Sequence, residues 1–364
     1  MFESRIKKLQ NLLPKYNLES LLVTSPYNIA YLTGIHAFSI EEREARIFVT
    51  KQNIYLFTDA RYTEMVKNNA PFVTLIETTH KNPFSKSINK ILIDEKIGQI
   101  GFEEEHTTYA EAEKYEEKIK ADLIPVAGIV EELREIKDKD EIEKIRKTCA
   151  LTEKAFGFIL KHLKPGVTET EVKLTLENFI RSHGSSLSFE SIVAFGKNAA
   201  IPHHLSGNTK LKELDTILLD FGAKLNNYCS DMTRTVFLGK PPQNIFKMYV
   251  ANLSAQTEAL EFLKTHNKKG FSNKKAAILA NNVLKKHGFP PVPHGLGHGV
   301  GLQVHEHPTL SPISNGKLKP GNIVTVEPGI YDPKLTGIRI EDTIIITKTG
   351  IEILTKSSKE IIIL

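Results

Sequence analysis

Two apolar stretches of this sequence each carry an acidic residue where a strand would be buried, and each turns back to present a second one. The first is TILLDFGAKLNNYCSDMTRTVFLG, residues 216–239, where Ile217, Leu218 and Leu219 precede Asp220 and the returning segment carries Asp231. A four-residue loop at Lys224–Asn227 would set Asp220 directly opposite Asp231. The second is NIVTVEPGIYDPKLTGIRIEDTIII, residues 322–346, with Glu327 ahead of Pro328 and Gly329, and Glu341 on the return. With Asp332–Thr336 as the loop, Glu327 faces Glu341. Opposed like charges destabilise a hairpin, and carboxylates among residues that want burial are paired, protonated or bound to metal. Two hairpins with matching geometry therefore point to a cation. Four carboxylates with an imidazole and no cysteine make a hard, oxygen-rich donor set suited to Mn(II), Co(II) or Zn(II), in a site for two ions.

The rest of the chain sets the frame for those hairpins. Its 364 residues suit two domains. The first third alternates helix (Glu3 to Lys15, and another from Ala60) with short apolar strands (Leu21 to Thr24, Arg46 to Val49, Ile54 to Phe57, and near Val73 and Ile100), an α/β pattern. Then comes EELREIKDKDEIEKIRK, whose stripe of Leu133, Ile136, Ile142 and Ile145 predicts a long helix running to about Lys161, so the boundary is placed near residue 132. Thr168 with Glu171 three residues on reads as a capping box opening another helix. Past Ser188 strands dominate, with helical stretches at Ile245 to His266 and Ala276 to Lys286. The expectation is an α+β protein, residues 1–132 forming the smaller α/β domain and residues 133–364 the one that carries the hairpins.

Charge and composition exclude several functions. The net charge of +5 is spread over 48 basic and 43 acidic residues without a basic block, so no nucleic-acid footprint is expected. Cys149 and Cys229 lack the spacing of a thiolate zinc site or a disulfide framework, which suits a reducing cytoplasm. The N-terminal MFESRIKKLQNLLPKY mixes charges into an amphipathic helical pattern and lacks the continuous apolar core expected of a signal peptide. Residues 20–40 carry no full charge, but Pro26, Asn28 and Gly34 break them into pieces too short to span a membrane.

Between the hairpins lies HGLGHGVGLQVHEHP, residues 294–308, histidines separated by glycines. Together with DFGAKLNNYCSDMTRT, VEPGIY and GIRIED, in this order, it resembles the signature of the pita-bread-fold dinuclear metallopeptidases: aminopeptidase P, prolidase and methionine aminopeptidase. NIAYLTGI and FTDARY resemble the N-terminal creatinase/prolidase-type domain of the first two. Carried over position by position, the resemblance implies two divalent metal ions, Mn(II) foremost, held by Asp220, Asp231, His298, Glu327 and Glu341. It implies that the glycines admit close backbone approach. It makes Glu327 the base that accepts the water proton, and His203 and His305 the groups that steady developing charge. His294 matches a pocket-lining position. Arg339, sharing a strand face with Glu341, could orient that carboxylate, touch substrate or form a structural ion pair. His204 and His307 receive no role. Methionine aminopeptidases resemble only the second domain, so the implied activity is hydrolysis of Xaa-Pro bonds in peptides with proline second. An aminopeptidase is preferred over a prolidase, and a homodimer is implied. Two rivals weigh against this: a metal-free amidinohydrolase of the creatinase type, and a non-catalytic binding module. Both lack a full ligand set, whereas every ligand position here is filled.

Overall fold

The computed structural model of the chain describes residues 1–265 and 271–364. It divides into two compact units, Met1–Arg134 and Glu135–Leu364. The first unit is a six-stranded mixed sheet in the order Thr74–Glu77, Ile54–Thr58, Arg46–Thr50, Ser20–Val23, Gln99–Glu103, Asp122–Val126. Its central strands are continuous apolar runs buried on both faces, as Ser20–Val23 shows. Asp122–Val126, passed over in the sequence reading, is an edge strand and so tolerates Pro125, which cannot donate to a ladder.

The predicted long helix across residues 130–161 is two helices, Ile129–Arg134 and Lys139–Ile159. Asp138 explains the break. Its side chain accepts the amides of Asp140 and Glu141 while Glu141 reaches back to the Asp138 amide, a reciprocal capping box that starts a new helix. Ile136, counted in the apolar stripe, falls in the gap and is exposed. The Thr168 and Glu171 box forms as read, and opens helix Glu169–Ser182. The stretch starting near Ile245 is helix Gln243–Thr265, and His266 lies outside the described residues.

In the second unit two helix pairs each cover a sheet. Lys139–Ile159 and Glu169–Ser182 pack on the three-stranded sheet Met232–Phe237, Thr216–Phe221, Ile192–Phe195, through Ala155, Phe156, Leu176 and Ile180 against Ile217, Leu219 and Val236. Gln243–Thr265 and Asn273–Lys286 pack on the five-stranded sheet Glu306–Leu310, Gly297–Gly299, Ile323–Val326, Asp342–Ile346, Ile351–Ile353, through Ala255, Ala259 and Ala280 against Val324, Val326 and Ile344. The apolar faces go to the helices, and what remains of the strands carries the polar residues of the cleft.

The hairpin registers differ in outcome. In the second, Val326 pairs Asp342 and Gly329 pairs Arg339, so Glu327 and Glu341 stand opposite each other as read. In the first, the loop is not four residues but two: Leu225 pairs Tyr228, and Asn226 and Asn227 make the turn with φ of 51° and 67°. Positive φ at both central residues is the mirror-image turn whose twist matches a hairpin, and asparagine is among the few side chains that enter it cheaply. Asp220 consequently pairs Thr233, and Asp231 sits two positions before that partner. The aspartates are diagonal neighbours on one face rather than directly opposed. The sequence reading missed the turn because Asn-Asn is a weaker signal than Asn-Gly.

The turn makes a prediction. Asn227→Val should cost about 1 to 3 kcal/mol, the usual strain of a left-handed position forced on a β-branched residue, whereas Asn227→Gly should be neutral or stabilising. Urea unfolding of the variants checks both; equal midpoints would show that the turn is not strained as described.

Candidate metal centre

All nine residues singled out in the sequence line one cleft of about 750 Å³: His203, Asp220, Asp231, His294, His298, His305, Glu327, Arg339 and Glu341. Asp220 comes from the three-stranded sheet, and Asp231 stands just before that sheet's strand Met232–Phe237. His298 lies on Gly297–Gly299 in the five-stranded sheet, and Glu327 and Glu341 end the paired stretch beside it. The two sheets are joined at this point by the Glu341 amide donating to the Thr233 carbonyl (3.1 Å).

Side-chain oxygens and nitrogens converge. One atom each of Asp231, His298 and Glu341 lie within 4.8 Å of one another. His298 Nε2 is 3.1 Å from Glu327 Oε1 and 3.6 Å from Asp231 Oδ2. Its Nδ1 lies 3.1 Å from the Gly299 carbonyl, which assigns a proton there; Nε2 faces the carboxylates, protonated toward Glu327 without a metal and free to ligate one on giving up that proton. Hydroxyls that the sequence reading did not single out fix the acids: Thr233 donates to Glu341 Oε2 (2.7 Å), and Thr325 donates to Glu327 Oε1 (3.0 Å). Thr325 also accepts the His298 amide (3.0 Å).

Arg339 is 4% exposed and its guanidinium is fully engaged. It donates to Asp220 Oδ2 (2.6 Å), the Thr233 hydroxyl (3.1 Å), the Pro202 carbonyl (3.3 Å) and the Tyr331 hydroxyl (2.9 Å). Tyr331 in turn lies 2.9 Å from His294 Nε2, whose Nδ1 is 2.7 Å from the Gly295 carbonyl. Since Arg339 can only donate, the chain orders itself: guanidinium to phenol oxygen, phenol proton to His294 Nε2, and His294 Nδ1–H to carbonyl. Of the open readings for Arg339, the one observed is an ion pair, with Asp220 rather than with the Glu341 carboxylate. Tyr331, which the sequence offered only as the last letter of VEPGIY, links two cleft-lining side chains, Arg339 and His294. His203 and His305 are exposed to the cleft, and the His305 ring meets that of His298 edge-on at 4.4 Å between centroids.

The glycines beside His298 have a different purpose from the one expected. A Cβ at Gly297 would stand 2.0 Å from the Thr325 carbonyl oxygen, and one at Gly299 would stand 2.3 Å from that of His307. The close approach is strand to strand, and it brings His298 against the Thr325 and Glu327 side of the sheet.

Residues 143–348 match metallopeptidase family M24, and residues 5–136 match the creatinase/prolidase N-terminal domain. The chain belongs to metallopeptidase family M24. An uncharacterized peptidase of Bacillus subtilis is 36% identical over 99% of this chain and all of its own. Among solved structures, an Xaa-Pro dipeptidase from Bacillus anthracis superposes with a TM-score of 0.94 at 34% identity, covering all of both chains. An X-Pro aminopeptidase from Thermotoga maritima gives 0.87 at 29%, covering 99% of each chain, and a prolidase from Pyrococcus horikoshii 0.90 at 30%, covering 99% of this chain and all of its own. The fold is accordingly α+β, a pita-bread domain preceded by a creatinase/prolidase-type domain.

Whether the metallopeptidase's residues suit a cation can be judged from their electrostatics. Burial pushes the Asp231 and Glu341 carboxyls well above the usual range, helped by the charges of Glu341, Asp220 and Glu327 on the first and of Glu327 and Asp220 on the second, and burial raises Asp220 despite Arg339. Burial works the same way on Glu327, but the hydrogen bond and charge of His298, with Arg339 and His294, outweigh it and hold that group low. Asp220 Oδ1, Asp231 Oδ1 and Glu341 Oε1 are buried and accept no hydrogen bond. Orphaned carboxylate oxygens crowded around an imidazole are costly as they stand. They are also what a divalent ion takes as ligands.

The sign of the linkage follows from those raised groups. A carboxyl raised on folding contributes stability below its unfolded pKa and loses it as pH rises through the folded value. In chelator-treated protein, Asp231→Asn should therefore raise Tm over wild type, by a margin that widens from about pH 4 upward. Divalent metal should raise the wild-type Tm and leave the variant's unchanged. Each kcal/mol corresponds to about 2 to 4 °C in a unit of this size. Differential scanning calorimetry across pH tests this, and a margin independent of pH and metal would contradict it.

Proposed function

We propose that this metallopeptidase hydrolyses the Xaa-Pro bond at the N-terminus of peptides, using two divalent ions held by Asp220, Asp231, His298, Glu327 and Glu341. The observation that carries the reading is the convergence of these five side chains, three with orphaned oxygens, at one end of a cleft that opens to solvent past His203 and His305. Ions bound there would supply a nucleophilic water at neutral pH and polarise the scissile carbonyl.

The chain's own groups supply the rest. Glu327, the one of these four acids held below the usual range, would be ionised and placed to serve as the proton acceptor. Its hydrogen bond from Thr325 fixes which oxygen faces the cleft. Desolvation lowers the pKa of His294, and desolvation with the neighbouring His298 charge lowers that of His305. Both are therefore neutral at pH 7; His305 can donate a hydrogen bond to developing charge without opposing nearby cations, whereas His294 has already given its one N–H to the Gly295 carbonyl and lines the pocket. A prolyl leaving group has no amide N–H, so its recognition falls to shape.

A cleft of about 750 Å³ admits a dipeptide or a longer peptide, and the aminopeptidase reading is placed first on the family resemblance. The second reading, a prolidase, is favoured by the high similarity to an Xaa-Pro dipeptidase. Mn(II) as the resident ion and a homodimer belong to the same proposal and rest on the family resemblance, and a cytoplasmic setting rests on the two free cysteines. No described helix is long and apolar enough to cross a membrane.

The deciding experiment offers Xaa-Pro dipeptides and Xaa-Pro-Yaa tripeptides to metal-stripped protein resupplied with Mn(II), Co(II) or Zn(II). Metal-dependent release of the first residue from tripeptides, abolished in Asp231→Ala, is expected. Cleavage of dipeptides alone would make it a prolidase, and no metal-dependent turnover of either would overturn the reading.

A further inference from the structure

We propose that Glu169 is a positioning residue for the reaction, holding loop 196–207 so that His203 faces the cleft. The inference rests on the reading of His203 as a substrate-facing group.

Glu169 is the first residue of helix Glu169–Ser182 and its side chain is fully buried. The helix does not need that carboxylate. Its first turn is already satisfied by the Thr168 and Glu171 capping box and by the amides of Glu169 and Thr170 donating to the carbonyls of Thr209 (3.1 Å) and Gly207 (3.0 Å). Instead the carboxylate points into the loop. Oε1 accepts the Phe195 amide (2.8 Å) and Asn198 Nδ2 (2.9 Å), while Oε2 accepts His204 Nε2 (2.9 Å) and the Gly207 amide (3.0 Å). Three of these donors come from the start, the later part and the end of one loop, and the fourth is the last residue of the strand that leads into it. A buried carboxylate is expensive unless its hydrogen bonds are filled. Here the filling groups are the loop itself, so the loop cannot drift without exposing the cost.

His203 sits between two anchors. On one side the Pro202 carbonyl accepts Arg339, which is bound to Asp220 of the metal centre. On the other the His204 ring is held by Glu169. Next along, Leu205 is 79% exposed at the lip of the cleft. Residues 202 and 204 are thus tied to the protein while 203 faces the cleft, and the histidine left without a role in the sequence becomes the pin that aims its neighbour.

The test is a double-variant cycle. Glu169→Gln is isosteric, but its NH2 would face two donors in place of an acceptor. Metal-loaded Glu169→Gln should lose at least about 10-fold in kcat/KM on Xaa-Pro peptides, mainly in kcat, with metal content unchanged, since misplacing an active-site group by about 1 Å costs up to about 100-fold. His204→Ala should lose less in the same direction, and it keeps the proposal testable where Glu169→Gln fails to fold. In a His203→Ala background neither change should lower activity further, because coupled residues are not additive. Losses that multiply with that of His203→Ala, or folded variants with wild-type kcat/KM, would overturn the proposal, as would a His203→Ala enzyme of full activity. Amide hydrogen exchange over residues 196–207 provides a readout apart from turnover, and should be faster in both variants. If wild type cleaves no Xaa-Pro peptide, the functional reading fails and His203 loses its part in any reaction, which overturns the positioning role with it. Unchanged exchange with wild-type turnover intact removes the clamp alone.

Discussion

Mutual repulsion among carboxylates in a poorly solvated cleft is the constraint around which this chain is built. Asp220, Asp231, Glu327 and Glu341 are brought together by two hairpins whose outer faces are committed to helices, so none can swing to water without breaking a sheet. Burial would neutralise such groups. Two cations oppose it, the Arg339 guanidinium on Asp220 and the His298 imidazole on Glu327. What they leave uncompensated falls on Asp231 and Glu341, and it is there that a divalent ion has most to gain.

This uneven compensation separates the roles of chemically similar side chains. Glu327 differs from Glu341 in its neighbours, not in its type: the His298 hydrogen bond and charge, with Arg339 and His294, hold it ionised, while Glu341 has the Thr233 hydroxyl and the Arg339 charge, which do not outweigh its burial. A pair of acids with pKa values pushed apart is a common arrangement where one must accept a proton and the other must bind. The rigidity comes from small groups. Thr233 and Thr325 each contact an acid and a second element, so that strand geometry is translated into carboxylate orientation.

Much of this was legible in the sequence, because acids in apolar strands violate the pattern that surrounds them. Asp220, Asp231, Glu327 and Glu341 could be found on that ground without knowing the fold, and the Glu327 and Glu341 register followed from loop length. What could not be read depended on contacts between segments distant in sequence. Tyr331 is one residue of a short strand until Arg339 and His294 are folded onto either side of it. Glu169 looks like any acid in a first helical turn, where negative charge is common, and only the returning loop shows why it is buried. The break at Asp138 was within reach of local reasoning, and was hidden because an apolar stripe continued across it.

The two-residue turn at Asn226 and Asn227 says something about how such a site tolerates change. Side chains alternate between the faces of a strand, so the first hairpin can be shortened or lengthened in steps of two and still present Asp220 and Asp231 to the same side. The partner across the ladder changes while the face does not. A single residue inserted within one strand, with the turn kept, would do the reverse, turning one aspartate into the helix-covered core and an apolar neighbour into the cleft. The hairpin thus carries a parity in its strands, while its turn can change length without moving either aspartate.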